Sequence, residues 1–233
     1  MSQQLAQAPN RIRFVSAFDL KCIAVATMIV DHIGAYFFPA QLWMRAVGRL
    51  AFPIYCFLIA EGYVYTHDVK KYMGRLFVVA LLSEVPFDLL WYGEPVYIWH
   101  QNVFFTLLTG LVCICAIDRL KKRWQAGLVL AGMAVLMHFV INSDYGIFGA
   151  AMIVCFYLFR ENAFGMLLAL GAINILGYGG VQCAGVLAFV PIQCYSGKRG
   201  PSAKYFFYAV YPVHLLLLYL IGRYVIYVNL QGL

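Results

Sequence analysis

The sequence predicts an all-α integral membrane protein, a single polytopic bundle of about nine transmembrane helices with its N-terminus in the cytoplasm. Of its 233 residues, 64% are hydrophobic and 12% are charged, whereas about 25% of the residues of a soluble domain are charged. Apolar runs long enough to cross a bilayer follow one another along the chain, and Lys and Arg occur mainly between them. These observations together exclude an ordinary soluble domain.

Polar or charged breaks divide the apolar sequence into nine predicted spans. A polar cytoplasmic tail at 1–16 precedes the transmembrane domain at 17–233. The sixth to eighth runs are short and rich in glycine, so the helix count is good to within one. The predicted spans are 17–37, 42–65, 72–92, 103–117, 124–141, 146–159, 163–179, 181–195 and 205–227.

The distribution of positive charge predicts the orientation. Lys and Arg gather in the N-terminal segment and after the second, fourth, sixth and eighth spans, while the opposite gaps carry none. Such a bias places the basic loops in the cytoplasm, which predicts a multi-pass membrane protein with its N-terminus in the cytoplasm. The net charge of +7 therefore reflects topology, and no nucleic-acid partner is expected. Seven cysteines without a CxxC pair are predicted to be small buried residues, and no metal is expected.

The first span carries ionisable residues deep in its apolar run. Asp31 and His32 are adjacent, and Lys21 precedes His32 by eleven residues. Eleven residues make about three helical turns, so Lys21 and His32 share one face at a separation of about 16 Å. Because imidazole changes charge near neutral pH, His32 is predicted to be catalytic or to relay protons.

A layer of polar side chains is predicted in the outer half of the membrane, with Arg49 at a depth similar to that of His32. An ion pair between Asp31 and Arg49 that only holds helices together is the structural alternative to a catalytic role. Glu84 and Asp88 could likewise pair with arginines of this layer. Besides Asp31 and Arg49, its members are Arg45, Glu84, Asp88, Asn102, Tyr145, Tyr211 and His214.

Acyl transfer across the membrane is one chemistry that fits these residues. His32 would take a proton from the acceptor, a nearby carboxylate (Asp31 or another acid) would orient the imidazole, and Arg49 or Asn102 would stabilise the oxyanion. The phosphates of an acyl-CoA donor would lie near Lys21, Arg11 or Arg13. The separation of about 16 Å between Lys21 and His32 is comparable to the reach of an extended pantetheine arm, so the thioester would lie at His32.

Two alternatives stay open at this point. A proton-coupled transporter would use Asp31 and His32 with Glu84 and Asp88 as a relay, although the chain shows no internal repeat. A non-enzymatic assembly factor within an envelope complex would use the polar layer only to hold its fold.

Five blocks of sequence resemble the TraX family of membrane proteins, named for the conjugation protein that N-acetylates the F-type pilin subunit. They are LKCIAVATMIVDHIG, GRLAFP, QNVFF, DYGIFG and FFYAVYPVHLLLL. The first span is also similar to the first helix of the wider acyltransferase-3 superfamily, in which a basic residue precedes a histidine by eleven positions.

The resemblance implies acetyl-CoA as a cytoplasmic co-substrate and His32 as the catalytic base. The resemblance also extends to five matched motif positions without an assigned role: Asp31, Arg49, Asn102, Tyr145 and His214. The acceptor stays open between a pilin N-terminus, an envelope glycan and a lipid. Two features depart from the family pattern. The superfamily usually has arginine at the position of Lys21, which concerns how the donor phosphates are held. The SEVPFD segment is not an obvious feature of the pilin acetylase, which concerns the identity of the acceptor.

Overall fold

A computed structural model describes residues 13–120, 123–139 and 142–231, and every regular element in these ranges is helical. A π-helical segment (Ala172–Tyr178) and a 3-10 helix (Gly180–Ala188) lie between α8 and α9. The α-helices are α1 (Ala17–Phe37), α2 (Leu42–Gly48), α3 (Ala51–Tyr65), α4 (Val69–Tyr92), α5 (Val103–Asp118), α6 (Arg123–Phe139), α7 (Gly146–Leu158), α8 (Ala163–Gly171), α9 (Phe189–Gln193) and α10 (Lys204–Gln231).

The predicted all-helical class is confirmed. Within the described residues, three helical stretches are long and apolar enough to cross a membrane: Ala17–Phe37, Leu42–Tyr65 and Lys204–Val228. Many large apolar side chains are exposed, as on a surface that faces lipid; Leu176 is the extreme, at 84%. Cys22 lies on this exposed surface, contrary to the prediction that all the cysteines are buried. The count of nine spans and the orientation stay predictions.

The predicted span 42–65 is not one regular helix, because α2 ends at Gly48 and α3 begins at Ala51. Pro53 has no N–H to donate to the Arg49 carbonyl four residues earlier. A Cβ added at Gly185 would lie 3.2 Å from that carbonyl oxygen, so the 3-10 helix passes close to the break. The interruption places Arg49 at a junction inside the protein.

The predicted spans 163–179 and 181–195 are also irregular. After α8 the chain continues as a π-helix to Tyr178, turns at Gly179 and Gly180, and returns as the 3-10 helix and α9. Both turn glycines have positive φ, at 67° and 55°, a conformation that glycine adopts without steric cost. The re-entry brings Gln182 towards Arg49.

The residues just before α1 are attached to the rest of the protein. Ser16 caps α1 in a reciprocal capping box with Asp19, and the Val15 N–H donates to the Cys194 carbonyl at 3.1 Å. The Ala17 N–H donates to the Lys198 carbonyl at 2.8 Å. These bonds hold the loop before α10 beside the start of α1, and the boundary between tail and transmembrane domain stays a prediction.

Gly48 allows α1 and α2 to approach closely. A Cβ at this position would lie 2.1 Å from Cβ and 2.4 Å from Cγ of Asp31. We expect Gly48→Ala to lower the free energy of unfolding by about 1–3 kcal/mol, because overpacking forces Asp31 and its helix to move.

Gly74→Ala is the matched control for Gly48→Ala, measured by thermal unfolding in detergent. No atom lies within 4 Å of a Cβ at Gly74 in α4, so this alanine is expected to be neutral or to stabilise slightly. Equal stability of the two variants would contradict the close packing at Gly48.

Candidate functional site

A cavity of about 1010 Å³ runs along α1 and connects Lys21 near the start of the helix with His32 near its end. This volume is at the upper limit of ordinary ligand pockets, which measure about 300–1,000 Å³. Apolar side chains line the cavity between its ends, among them Met28, Leu58, Ile59, Leu76 and Leu107, and Phe52 and Phe104 line it beside Tyr145 and Tyr211. The shared face predicted for Lys21 and His32 is therefore confirmed, since both residues border one space.

At one end of the cavity, His32 forms a pair with His214 of α10. The two rings lie edge to edge and nearly parallel, with centroids 4.9 Å apart and planes inclined by 5°. His32 Nδ1 lies 2.7 Å from His214 Nε2, and His214 Nδ1 lies 2.8 Å from the Val210 carbonyl oxygen. Tyr211 packs edge-on against both imidazoles. Sequence analysis placed His214 and Tyr211 in the polar layer but did not predict this contact.

Asp31 binds arginines rather than His32. Its Oδ2 accepts from Arg49 Nη2 and lies 3.1 Å from Arg45 Nη1. Successive helical side chains diverge by about 100°, so the neighbour of His32 in the sequence faces α2 instead of the imidazole. The predicted Asp31–Arg49 ion pair is confirmed, and the expected carboxylate–imidazole contact is not formed.

Arg49 is held from several sides. Its Nε donates to the Arg45 carbonyl at 3.3 Å, and its Nη1 donates to Gln182 Oε1 at 3.2 Å and to the Tyr145 hydroxyl at 3.5 Å. With the bond to Asp31 this makes four hydrogen bonds, so one of the five guanidinium N–H groups has no partner among the described residues. Sequence analysis did not identify Gln182, which reaches the site only through the irregular re-entry.

Tyr145 borders the cavity as predicted. Its ring stacks on Phe52 with centroids 3.5 Å apart, and its backbone carbonyl accepts from the Tyr178 hydroxyl at 2.5 Å. The stacking and the Arg49 contact fix its hydroxyl at the histidine end of the cavity.

Glu84, Asp88 and Asn102 make a separate cluster that turns away from the cavity. Glu84 Oε1 accepts from the Asn102 N–H at 2.9 Å, and Asp88 Oδ2 accepts from the Tyr97 N–H at 2.8 Å. Asn102 caps α5 through Phe104 and also donates to the Ala80 carbonyl. The predicted pairing of these acids with arginine is wrong. Asn102 is occupied as a helix cap and is not placed to stabilise an oxyanion.

Four basic side chains border the opposite end of the cavity, here called the basic end: Lys21, Arg75, Arg199 and Lys204. Arg75 lies over the Tyr72 ring, and its buried Nε has no hydrogen-bond partner among the described residues. Lys21 Nζ lies 5.5 Å from the Phe207 ring centroid.

The arginines at the basic end differ from those predicted. Arg13 is exposed and lies outside the cavity lining, and Arg11 lies outside the described residues. Sequence analysis counted Arg75 and Arg199 only as topology signals. The sequence signal that could have assigned them to the donor site is the clustering of basic residues near the start of α4 and in the loop before α10.

Comparison with known proteins gives a consistent family signal. The family model described as TraX protein matches residues 16–222. The chain is 27% identical to the probable fimbrial assembly protein FimC, serogroup H1, of Dichelobacter nodosus, over 87% of this chain and 94% of that protein. It is 26% identical to Protein TraX of Escherichia coli, over 85% of this chain and 84% of that protein. No solved structure matches the chain.

Proposed function

The chain belongs to the TraX family, and we propose that it is a membrane acetyltransferase of the bacterial inner membrane. It moves an acetyl group from cytoplasmic acetyl-CoA to an acceptor amine or hydroxyl at the extracytoplasmic side. The observation that carries this proposal is the single cavity that joins four basic side chains to an imidazole pair.

The two ends of the cavity suit the two ends of acetyl-CoA. Phosphate groups bind at the basic end, where Arg75 has an unpartnered buried Nε and arginine supplies the strongest charge-assisted hydrogen bonds. The pantetheine arm follows the apolar middle part. Lys21 and His32 are separated by about 16 Å along α1. Since an extended pantetheine arm has a comparable reach, the thioester lies at His32 when the phosphates lie at the basic end.

The chemical step is acyl transfer with His32 as general base. The acceptor nitrogen or oxygen attacks the thioester carbonyl while its proton passes to His32, and the C–S bond breaks to release CoA as a thiolate. His32 then returns the proton to the sulfur. Arg49, fixed by Asp31 and Gln182, places a positive charge near the oxyanion as it develops.

The acceptor is proposed to be the amine of a pilin or fimbrial subunit. The support is the TraX family membership and the name of the Dichelobacter nodosus relative, a probable fimbrial assembly protein. Asp144, exposed at the histidine end of the cavity, offers a carboxylate that attracts a protonated amine, which loses one proton to water before the neutral nitrogen enters the transfer step. An envelope glycan or lipid hydroxyl is the alternative acceptor for the same step.

The transporter alternative has less support from the geometry. Its relay requires Glu84 and Asp88 to continue from Asp31 and His32, yet the two acids bind Asn102 and the Tyr97 backbone outside the cavity lining.

Acetyl-CoA binding to the detergent-purified protein tests the donor site. We expect Arg75→Ala and Arg199→Ala each to raise the Kd measured by calorimetry about tenfold, because each removes a charge-assisted bond worth about 1.5 kcal/mol or more. Lys70→Ala is the control, since Lys70 is exposed at the start of α4 and does not border the cavity. Equal affinities for wild type and all three variants, or no binding to folded wild type, would contradict this donor site.

A further inference from the structure

We propose that His214 is a positioning residue that fixes the tautomer of His32 and shares its proton during acyl transfer. This inference rests on the proposed function, and it concerns a residue that the family comparison leaves without a role.

The Val210 carbonyl determines where His214 carries its hydrogen. A carbonyl oxygen only accepts, and it lies 2.8 Å from His214 Nδ1, so this nitrogen is the one that donates. A neutral imidazole has one N–H. His214 Nε2 therefore has a free lone pair and accepts a hydrogen bond.

The acceptor role of His214 Nε2 determines the tautomer of His32. His214 Nε2 lies 2.7 Å from His32 Nδ1, so the hydrogen between them belongs to His32 Nδ1 when both rings are neutral. The lone pair of His32 is consequently on Nε2, the nitrogen on the other side of the ring. His32 borders the cavity whereas His214 lies behind it, so the pair directs the basic nitrogen of His32 towards the substrate.

The surrounding contacts keep this arrangement in place. Tyr211 packs edge-on against both rings, with centroids 6.3 Å from His32 and 5.6 Å from His214. Trp91 packs edge-on against His32 at 5.8 Å. Either imidazole would have to break these aromatic contacts in order to rotate, so the packing favours the hydrogen bond between His32 Nδ1 and His214 Nε2.

The pair also accounts for every proton of the transfer step. The acceptor N–H or O–H bond breaks and a His32 Nε2–H bond forms as the new acyl bond is made. The Nδ1 proton of the resulting imidazolium shifts towards His214 Nε2, whose own Nδ1–H stays on the Val210 carbonyl, so the positive charge extends over two rings. The proton on His32 Nε2 then passes to the thiolate of CoA, and the neutral pair is restored.

The tautomer can be measured without acetyl-CoA or acceptor, which separates this inference from the proposed function. The probe is the ¹⁵N chemical shift of the histidine side chains in isotope-labelled protein, recorded about two pH units above the ordinary imidazole pKa of about 6.5. The His32 signal is the one that disappears in His32→Gln. We expect it to show a protonated Nδ1 and an unprotonated Nε2.

His214→Phe keeps an aromatic ring and removes the acceptor, so the His32 signal is expected to lose its Nδ1–H preference. His214→Gln supplies a carbonyl oxygen as acceptor, so the preference of His32 for a protonated Nδ1 is expected to be partly restored. In acetyl transfer, His214→Phe should lower kcat about 10- to 100-fold, by analogy with the partners that orient metal-binding histidines, with an unchanged Kd for acetyl-CoA.

Three outcomes would overturn the inference. They are a wild-type His32 protonated on Nε2, a tautomer that does not change in folded His214→Phe, and a kcat that does not change in that variant. If His214→Phe does not fold, the wild-type spectrum alone decides, because the hydrogen bonds permit only one neutral tautomer.

Discussion

Replacing His32 with glutamine is expected to lower the rate of acetyl transfer about 10²- to 10⁴-fold, the usual contribution of a general base. Glutamine retains polarity and approximate size but cannot accept a proton from the acceptor at neutral pH. The basic end lies about three helical turns away, so acetyl-CoA should bind the variant with an unchanged Kd. The measurement is the incorporation of label from radiolabelled acetyl-CoA by membranes that contain equal amounts of each protein.

Thr27→Val is the matched control for His32→Gln, because it removes a polar group from the same helix. The Thr27 hydroxyl donates to the Ile23 and Ala24 carbonyls within α1, and Thr27 does not border the cavity. Its activity should remain within about twofold of wild type, the range of a surface substitution. Undiminished activity in a folded, membrane-inserted His32→Gln protein would remove His32 from the mechanism.

Replacing Asp31 with asparagine is expected to lower the free energy of unfolding by about 3–5 kcal/mol, the cost of leaving a buried charge without its partner. Asp31 is 6% exposed and pairs with both Arg45 and Arg49. Without its charge, two guanidinium groups remain side by side at the junction of α2 and α3. Thermal unfolding in detergent measures this effect.

Asp68→Asn is the control for this substitution. Asp68 caps α4 at the surface, where the backbone N–H of Lys71 lowers the pKa of its carboxyl, and asparagine caps a helix about equally well. Its change in stability should be much smaller than that of Asp31→Asn, as for exposed ion pairs. If Asp31→Asn were as stable as Asp68→Asn, the Asp31–arginine cluster would not hold the helices together.

The sequence predicted correctly the arrangements that depend on a single helix or on the depth of two residues in the membrane. The spacing of Lys21 and His32 follows from helical periodicity, and both residues border the cavity. The Asp31–Arg49 pair follows from the similar depths of two opposite charges in an apolar environment. Neither inference requires knowledge of how distant helices pack.

The sequence did not predict the contacts that depend on which helices pack side by side. His32 and His214 are 182 residues apart, and only the contact of α1 with α10 brings them together. Glu84 was assigned to the polar layer from its depth, but Asn102 supplies a nearer partner than any arginine. Arg199 reaches the cavity because backbone hydrogen bonds hold its loop against the start of α1, a contact without a local sequence signal.

The most direct test of the account is photolabelling with an acyl-CoA analogue that carries a diazirine in its acyl group. The account predicts saturable labelling of side chains beside the histidine pair, such as Trp91, Phe104 and Tyr211. Excess acetyl-CoA should suppress this labelling, and Arg75→Ala should weaken it. Absence of saturable labelling, or labelling confined to exposed positions such as Leu176, would contradict an acyl-CoA donor that reaches His32 through the cavity.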